Sequence, residues 1–180
     1  LSHIARKFAK PIASRDIAGL TSKPNGKTTL STFKATLENA GLECMAVKTD
    51  IDSLAKFADC IKIVHLPLTN HYVIVDRIED DAVWVIDLLS RKFYWKKQKD
   101  EFLLEWTQGT ALLVSNRPIE VGLDCRFDYL DGVQMQTIEG GDYGTYSCTD
   151  KIQDQQEVLC PLPVGFLCTG NYYKIRERYG

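Results

Sequence analysis

Two side chains in the middle of this 180-residue chain are spaced for proton-transfer chemistry, His71 and Asp87. His71 opens one β-branched, apolar run, HYVIVDRI, and Asp87 lies near the end of the next, AVWVIDLL. Glu79, Asp80 and Asp81 stand between the runs as a polar turn. The pattern predicts a hairpin of His71–Ile78 with Ala82–Leu89. With the turn centred near Glu79, His71 falls opposite Asp87 on one face, within cross-strand reach. A carboxylate against an imidazole fixes its tautomer and stabilises the imidazolium. Such a histidine keeps a neighbouring thiol in its nucleophilic thiolate form. Two residues alone do not establish a site, because a histidine after a turn is commonly solvated and an aspartate at a strand end commonly forms a turn.

The thiols that such a pair would need are scattered. The chain has six cysteines and three histidines. No Cys-x-x-Cys pair occurs and the histidines lack ligand spacing, so no metal and no cofactor are expected. Cys44 and Cys60 sit in apolar contexts and read as buried free thiols. Cys125, Cys148, Cys160 and Cys168 fall in the last third and are candidates for two disulfides in an oxidising compartment, with the pairing open.

The elements that must position His71 and Asp87 follow from periodicity. Leu1, Ile4, Ala5 and Phe8 recur at helical spacing until Pro11, and Ser14 can cap a short helix through Leu20. Pro24, Asn25 and Gly26 mark a loop over Thr21–Thr28. Thr28 or Thr29 caps an amphipathic helix with Leu30, Phe33, Leu37 and Ala40 on its apolar face, and Gly41 stops it. Leu42–Thr49 reads as a strand. Asp50 caps a helix that turns Ile51, Leu54 and Phe57 inward. Ile61–Leu66 is a strand closed by Pro67. After the hairpin come an alternating strand Arg91–Lys97, a short helix from Asp100 to Trp106 and an apolar strand Thr110–Ser115. Helices first and an antiparallel sheet after them make an α+β layout. Trp84, Trp95 and Trp106 are expected to fill the core.

From Ile119 glycine, tyrosine, cysteine and glutamine rise. Residues 1–118 therefore read as one domain, and 119–180 as a small β-rich or irregular appendage or a tail packed on it. Apolar content of 44% and charged content of 26% are enough for a proper core. A net charge of −2 gives no general attraction to nucleic acid or anionic lipid. The basic residues Arg91, Lys92, Lys96, Lys97 and Lys99 read as a solvated strand edge and helix start. No run is long and apolar enough to span a membrane. Leu1 is not an initiator methionine, so the chain reads as a fragment or a processed product.

Three segments, in order, resemble one family. GKTTLSTFKATLENAGLECMAVKTDIDSL, NHYVIVDRIEDDAVWVIDLLSRK and FLLEWTQGTALLVSNRP are similar to successive parts of the double-glycine (bacteriocin-processing) cysteine peptidases. These are papain-like domains, best known at the N-terminus of peptide-exporting ABC transporters. The resemblance covers roughly Leu1–Pro118 and implies a papain-like fold of N-terminal helices packed on an antiparallel sheet. It also implies bacterial origin, a peptide or protein substrate or partner, and association with a transporter or larger assembly. By that resemblance His71 is the catalytic histidine and Asp87 its orienting aspartate. Leu88 stands where the family usually has proline. The family's nucleophilic cysteine lies on its first helix beside a glutamine. Aligning LSHIARKFAKPIASRDI with that helix puts this cysteine a few residues before Leu1. Residues 1–180 are then expected to be inactive as they stand. A non-catalytic peptide- or partner-binding module, or a structural subunit built on a degenerate peptidase domain, stands as the alternative.

One further segment matches what the resembled family cuts, a pair of glycines preceded by spaced apolar residues. In LDGVQMQTIEGG these are Leu130, Met135, Ile138, Gly140 and Gly141. Paired glycines thread a narrow cleft in extended form, and the three apolar residues fall on one broad helix face. A glycine pair is equally a turn signal. A cut after Gly141 would release the stretch that begins at Asp142.

Overall fold

The sequence TTLSTFKATLENAGL builds the first long element by capping at one end and a glycine at the other. Thr29 is extended and its hydroxyl accepts the Thr32 N–H at 3.2 Å, which starts the helix Leu30–Asn39. Gly41 adopts φ +76°, the left-handed geometry that ends it. Asp50 repeats the device for the helix Ile51–Lys56, accepting the Ser53 N–H at 2.7 Å. That amide bond holds the Asp50 carboxyl below the usual carboxylate range.

The computed structural model describes residues 2–9, 27–87 and 93–140. Within them lie α1 (Ser2–Phe8), β1 (Thr28–Thr29), α2 (Leu30–Asn39), β2 (Glu43–Thr49), α3 (Ile51–Lys56), β3 (Ile61–Leu66), β4 (His71–Ile78), β5 (Ala82–Ile86), β6 (Tyr94–Gln98), α4 (Lys99–Glu105), β7 (Thr110–Ser115), β8 (Phe127–Tyr129), α5 (Gly132–Thr137) and β9 (Glu139–Gly140). Seven strands form one antiparallel sheet in the order β6-β5-β4-β3-β7-β2-β8, and β1 pairs with β9 apart from it.

The sheet is covered on both faces, which explains its sequence. β3 and β7 are buried at every residue and read IKIVHL and TALLVS, apolar runs rather than an alternation. Alternate residues nevertheless go to different cores. Val64, Val73, Val75, Val83, Val85, Ala111 and Leu113 meet Ile51, Leu54 and Phe57 around α3, and Phe102 and Trp106 around α4. Ile61, Ile63, Ile74, Ile86, Leu112 and Val114 meet Ile4 of α1 and Leu30 and Leu37 of α2.

The chain departs from expectation mainly after Pro118. Residues 119–140 pack on the preceding domain: β8 pairs with β2, β9 pairs with β1, and the compact unit runs from Leu1 to Asp142. The boundary expected at Pro118 was drawn where apolar periodicity fades. Two- and three-residue strands held by backbone bonds need no such periodicity. The expected strand Arg91–Lys97 runs instead from Tyr94 to Gln98. The short helix expected from Ser14, the end of the second hairpin strand at Leu88 and Leu89, and residues 141–180 lie outside the described residues.

Candidate active site

The hairpin that carries His71 and Asp87 is built on a β-bulge. Near its turn, Arg77 pairs with Trp84 and Ile78 with Val83; beyond it, Val75 pairs with Val85 and Ile74 with Ile86. Asp76 is the extra residue between these two registers. Its consequence is one of parity. Had the turn-side register continued, Asp87 would oppose Ile74 and point away from His71. With Asp76 inserted, Asp87 continues the outer register opposite Val73, two residues from His71 and on the same face. The direct pairing expected from a turn at Glu79 is therefore corrected to a diagonal one. The tight turn is Asp80–Asp81, closed by Glu79 N–H to the Ala82 carbonyl at 2.8 Å. A diagonal neighbour remains within reach of a histidine.

That reach is used. His71 Nε2 lies 2.9 Å from Asp87 Oδ1, with the side chains 16% and 13% exposed. An ionised carboxylate only accepts, so Nε2 carries the proton and Nδ1 keeps the lone pair. The imidazole is thus oriented by one nitrogen and free to take a proton at the other. Asp87 is itself fixed by its own N–H, which donates to the Phe93 carbonyl at 3.0 Å. On the neighbouring strand, Leu66 pairs with His71, which holds the histidine at the closed end of β3–β4.

No described thiol serves this imidazole. Cys44 pairs with Val114 on β2, three strands from β4 and toward the other end of the sheet, roughly 20 Å away by strand spacing and rise. Burial and Glu38 push its thiol up to about 12. Cys60 precedes β3 at the end away from His71, is buried, and is raised by that burial. Cys125 precedes β8, four positions from β4 in the sheet, and is a free thiol. Its candidate disulfide partners Cys148, Cys160 and Cys168 lie outside the described residues. Cys44 is half-buried rather than fully buried.

The glycine-pair segment ends at the same end of β4. Leu130 and Ile138 are buried and Met135 packs beside them, against the α1–α2 core. Only Met135 lies on a helix, because α5 covers residues 132–137; the single helical face expected for all three is replaced by a helix with an anchor at each flank. Gly140 lies against the Tyr72 ring, and Gly141 is outside the described residues.

Three residues of this region were missed in the sequence. Tyr72 donates its O–H toward the Ile138 carbonyl at 3.0 Å and the Thr28 carbonyl at 3.3 Å. Burial and the Glu139 carboxylate keep that phenol protonated. His65, opposite Tyr72 in the sheet, donates Nε2–H to the Glu139 carbonyl at 2.8 Å, and burial pushes its imidazole below the ordinary histidine range. Asp76 makes the bulge and accepts from Tyr94 O–H at 2.9 Å. A histidine inside IKIVHL and an aspartate inside VIVDRI were the signals available.

Of the basic cluster, Arg91 and Lys92 lie outside the described residues, and Lys96, Lys97 and Lys99 are spent on local carboxylates. Lys96 meets Glu79 at 3.2 Å and Asp81 at 3.8 Å, Lys99 meets Asp52 at 3.0 Å, and Lys97 pairs with Glu105. Trp106 is buried, whereas Trp84 is half-buried, stacked on Tyr94 and capped by the Arg77 guanidinium 4.9 Å from its centroid. Among the described residues no group of three or more metal-ligating side chains converges, and no helix is long and apolar enough to cross a membrane.

The fold is a layered one, with helices on both faces of an antiparallel sheet. Two solved structures share it. One is a double glycine motif protease from an AMS/PCAT transporter in complex with the leader peptide: TM-score 0.52, 19% identity, 62% of this chain and 76% of that one. The other is the peptidase domain of Streptococcus ComA, a bifunctional ABC transporter of a quorum-sensing pathway: TM-score 0.53, 18% identity, 63% and 85%. No match to a curated protein was found. The sequence profile of the Peptidase C39 family matches residues 1–119, and the chain belongs to that family.

Proposed function

We propose that this unit handles peptides bearing paired glycines and that His71 and Asp87 are its general base and orienting carboxylate. The observation that carries the reading is the 2.9 Å contact of His71 Nε2 with Asp87 Oδ1, made possible by the Asp76 bulge. In the reaction, His71 Nδ1 takes the proton of a cysteine thiol and the thiolate attacks the scissile carbonyl. The same proton then passes to the leaving amine, and water hydrolyses the thioester. The double-glycine protease solved with its leader peptide supports the substrate class by analogy.

Among the described residues Cys44, Cys60 and Cys125 stand away from His71, and the resemblance puts the nucleophile before Leu1, so residues 1–180 are expected to bind such a peptide and leave it intact. The test is to read the residues encoded just before Leu1 and to assay the native protein on a synthetic double-glycine peptide. A cysteine there, with a glutamine before it, and thiol-dependent cleavage lost in His71→Ala support the enzyme. Any other residue, with binding but no cleavage, assigns a non-catalytic binding module. Thiol-dependent cleavage by residues 1–180 themselves would overturn the placement of the nucleophile.

A further inference from the structure

Two described residues other than glycine hold a left-handed backbone, Ala9 at φ +49° and Asn70 at φ +48°. Ala9 directly follows α1, where helices commonly end that way. Asn70 directly precedes His71. A strained backbone beside a side chain with chemistry to do raises the question of what it positions.

The loop is Pro67–Asn70, four residues closed by the pair Leu66↔His71. Pro67 sets φ where the loop begins. Asparagine is one of the few L-residues that accept the left-handed region, because its short amide can bond locally. Hydrogen bonds fix little of the rest. Asn70 N–H reaches the Pro67 carbonyl at 3.4 Å, and Thr69 O–H the Leu66 carbonyl at 3.4 Å, both at the long limit. Leu68, Thr69 and Asn70 are exposed, so burial does not hold the loop either. The backbone preference of Asn70 is then what fixes the loop's exit.

His71 needs that constraint more than the rest of β4. The β4–β5 ladder runs out at Ile74↔Ile86, three residues short of it. From there back, β4 is paired with β3 alone, and the last of these pairs is Leu66↔His71. His71 therefore takes its place from the loop side, while Asp87 takes its own from the bulge and the Phe93 carbonyl. With Asn70 right-handed or extended, four residues no longer return the chain to Leu66. His71 then leaves the ladder and its 2.9 Å contact with Asp87 opens. A chain that closes one residue earlier or later turns the imidazole to the other face.

We propose that Asn70 is a positioning residue for His71: its left-handed backbone closes the β3–β4 loop at the residue that lets the imidazole meet Asp87. The value of that position for catalysis rests on the function proposed above; the geometry does not.

The test uses the isotope-labelled 180-residue chain. An imidazole N–H held by a carboxylate exchanges slowly with water and gives a resolved downfield NMR resonance, assigned to His71 by its loss in His71→Gln. Asn70→Gly, which accepts a positive φ, should keep this resonance and the cross-strand NOE between the Leu66 and His71 backbones. Asn70→Val, whose branched side chain makes a positive φ an outlier, should stay folded and lose both. Should Asn70→Val not fold, Asn70→Ala is read in its place. A folded Asn70→Val or Asn70→Ala chain that keeps both signals overturns the proposal. Loss of both in Asn70→Gly also overturns it, because the amide side chain and not the backbone would then be at work. In the native protein, if it cleaves, Asn70→Val should lower kcat roughly ten- to a hundredfold with KM held, and Asn70→Gly should not. The two spectroscopic signals need neither a thiol nor turnover. Signals lost in Asn70→Val with no cleavage by the native protein remove the proposed catalysis and keep the positioning. Cleavage by a native protein whose Asn70→Val variant keeps both signals does the reverse.

Discussion

The β3–β7 pair and the segment Leu130–Gly140 are both well seated on the same domain, by opposite means. β3 and β7 contribute two apolar faces each and are buried throughout. Leu130–Gly140 contributes three apolar anchors and is otherwise held by its carbonyls and by the absence of a side chain at Gly140. The first kind of contact is written in residue type and costs stability when any member is trimmed. The second is written largely in backbone geometry.

Substitutions can break or sharpen that contrast. The largest effect belongs to the candidate site at the start of β4. In the native protein, if it cleaves, His71→Ala should lower kcat/KM by roughly 10²–10⁴-fold with the thermal midpoint held, measured on a double-glycine peptide. A midpoint that falls as far as activity would make His71 structural. Next, Leu112→Ala in β7, fully buried, should cost about 2–5 kcal/mol of global stability in denaturant unfolding. The two aspartate caps then separate the regions with identical chemistry. Asp50→Ala, which caps α3, should cost about 1 kcal/mol in global unfolding. Asp131→Ala removes a comparable cap from α5, yet should accelerate only the amides around Met135, because that segment opens locally. Equal losses in global unfolding would erase the distinction.

The smallest effect is one of pH. His65 is buried and faces the Tyr72 ring at 5.3 Å, and that burial holds its folded-state pKa below the usual value. As pH falls below about 6.5, the unfolded chain takes up a proton before the folded one does, so stability falls with it and is flat above. Protonation would also place an N–H on Nδ1, a buried atom with no partner. The protection factors of amides 138–140, taken relative to the intrinsic exchange rate at each pH, should therefore fall between pH 7.5 and 5.5, and His65→Gln should flatten that slope.

What could be read in advance divides along the same line. The strands His71–Ile78, Ile61–Leu66 and Thr110–Ser115 and the cap Asp50 were legible to the residue, and the cap Thr29 as one of two neighbours, because burial and capping are properties of side chains. His71 and Asp87 were rightly expected on one face, although through a register two residues off. The bulge at Asp76 was not legible, since one polar residue in VIVDRI looks like any exposed strand position. β1, β8 and β9 were missed for the same reason: two or three residues joined by amides and carbonyls leave no pattern in residue type.

The bulge also sets which length changes this hairpin tolerates. The Asp80–Asp81 turn can lengthen freely, since residues beyond it keep their partners. Within the paired strands the arithmetic is different. Losing or gaining one residue between His71 and Ile78 would swing the imidazole and the carboxylate to opposite sides of the sheet, whereas losing or gaining two would return them to the same side. Related chains that preserve this pair should therefore differ by even numbers in the strands and by any number of added residues in the turn.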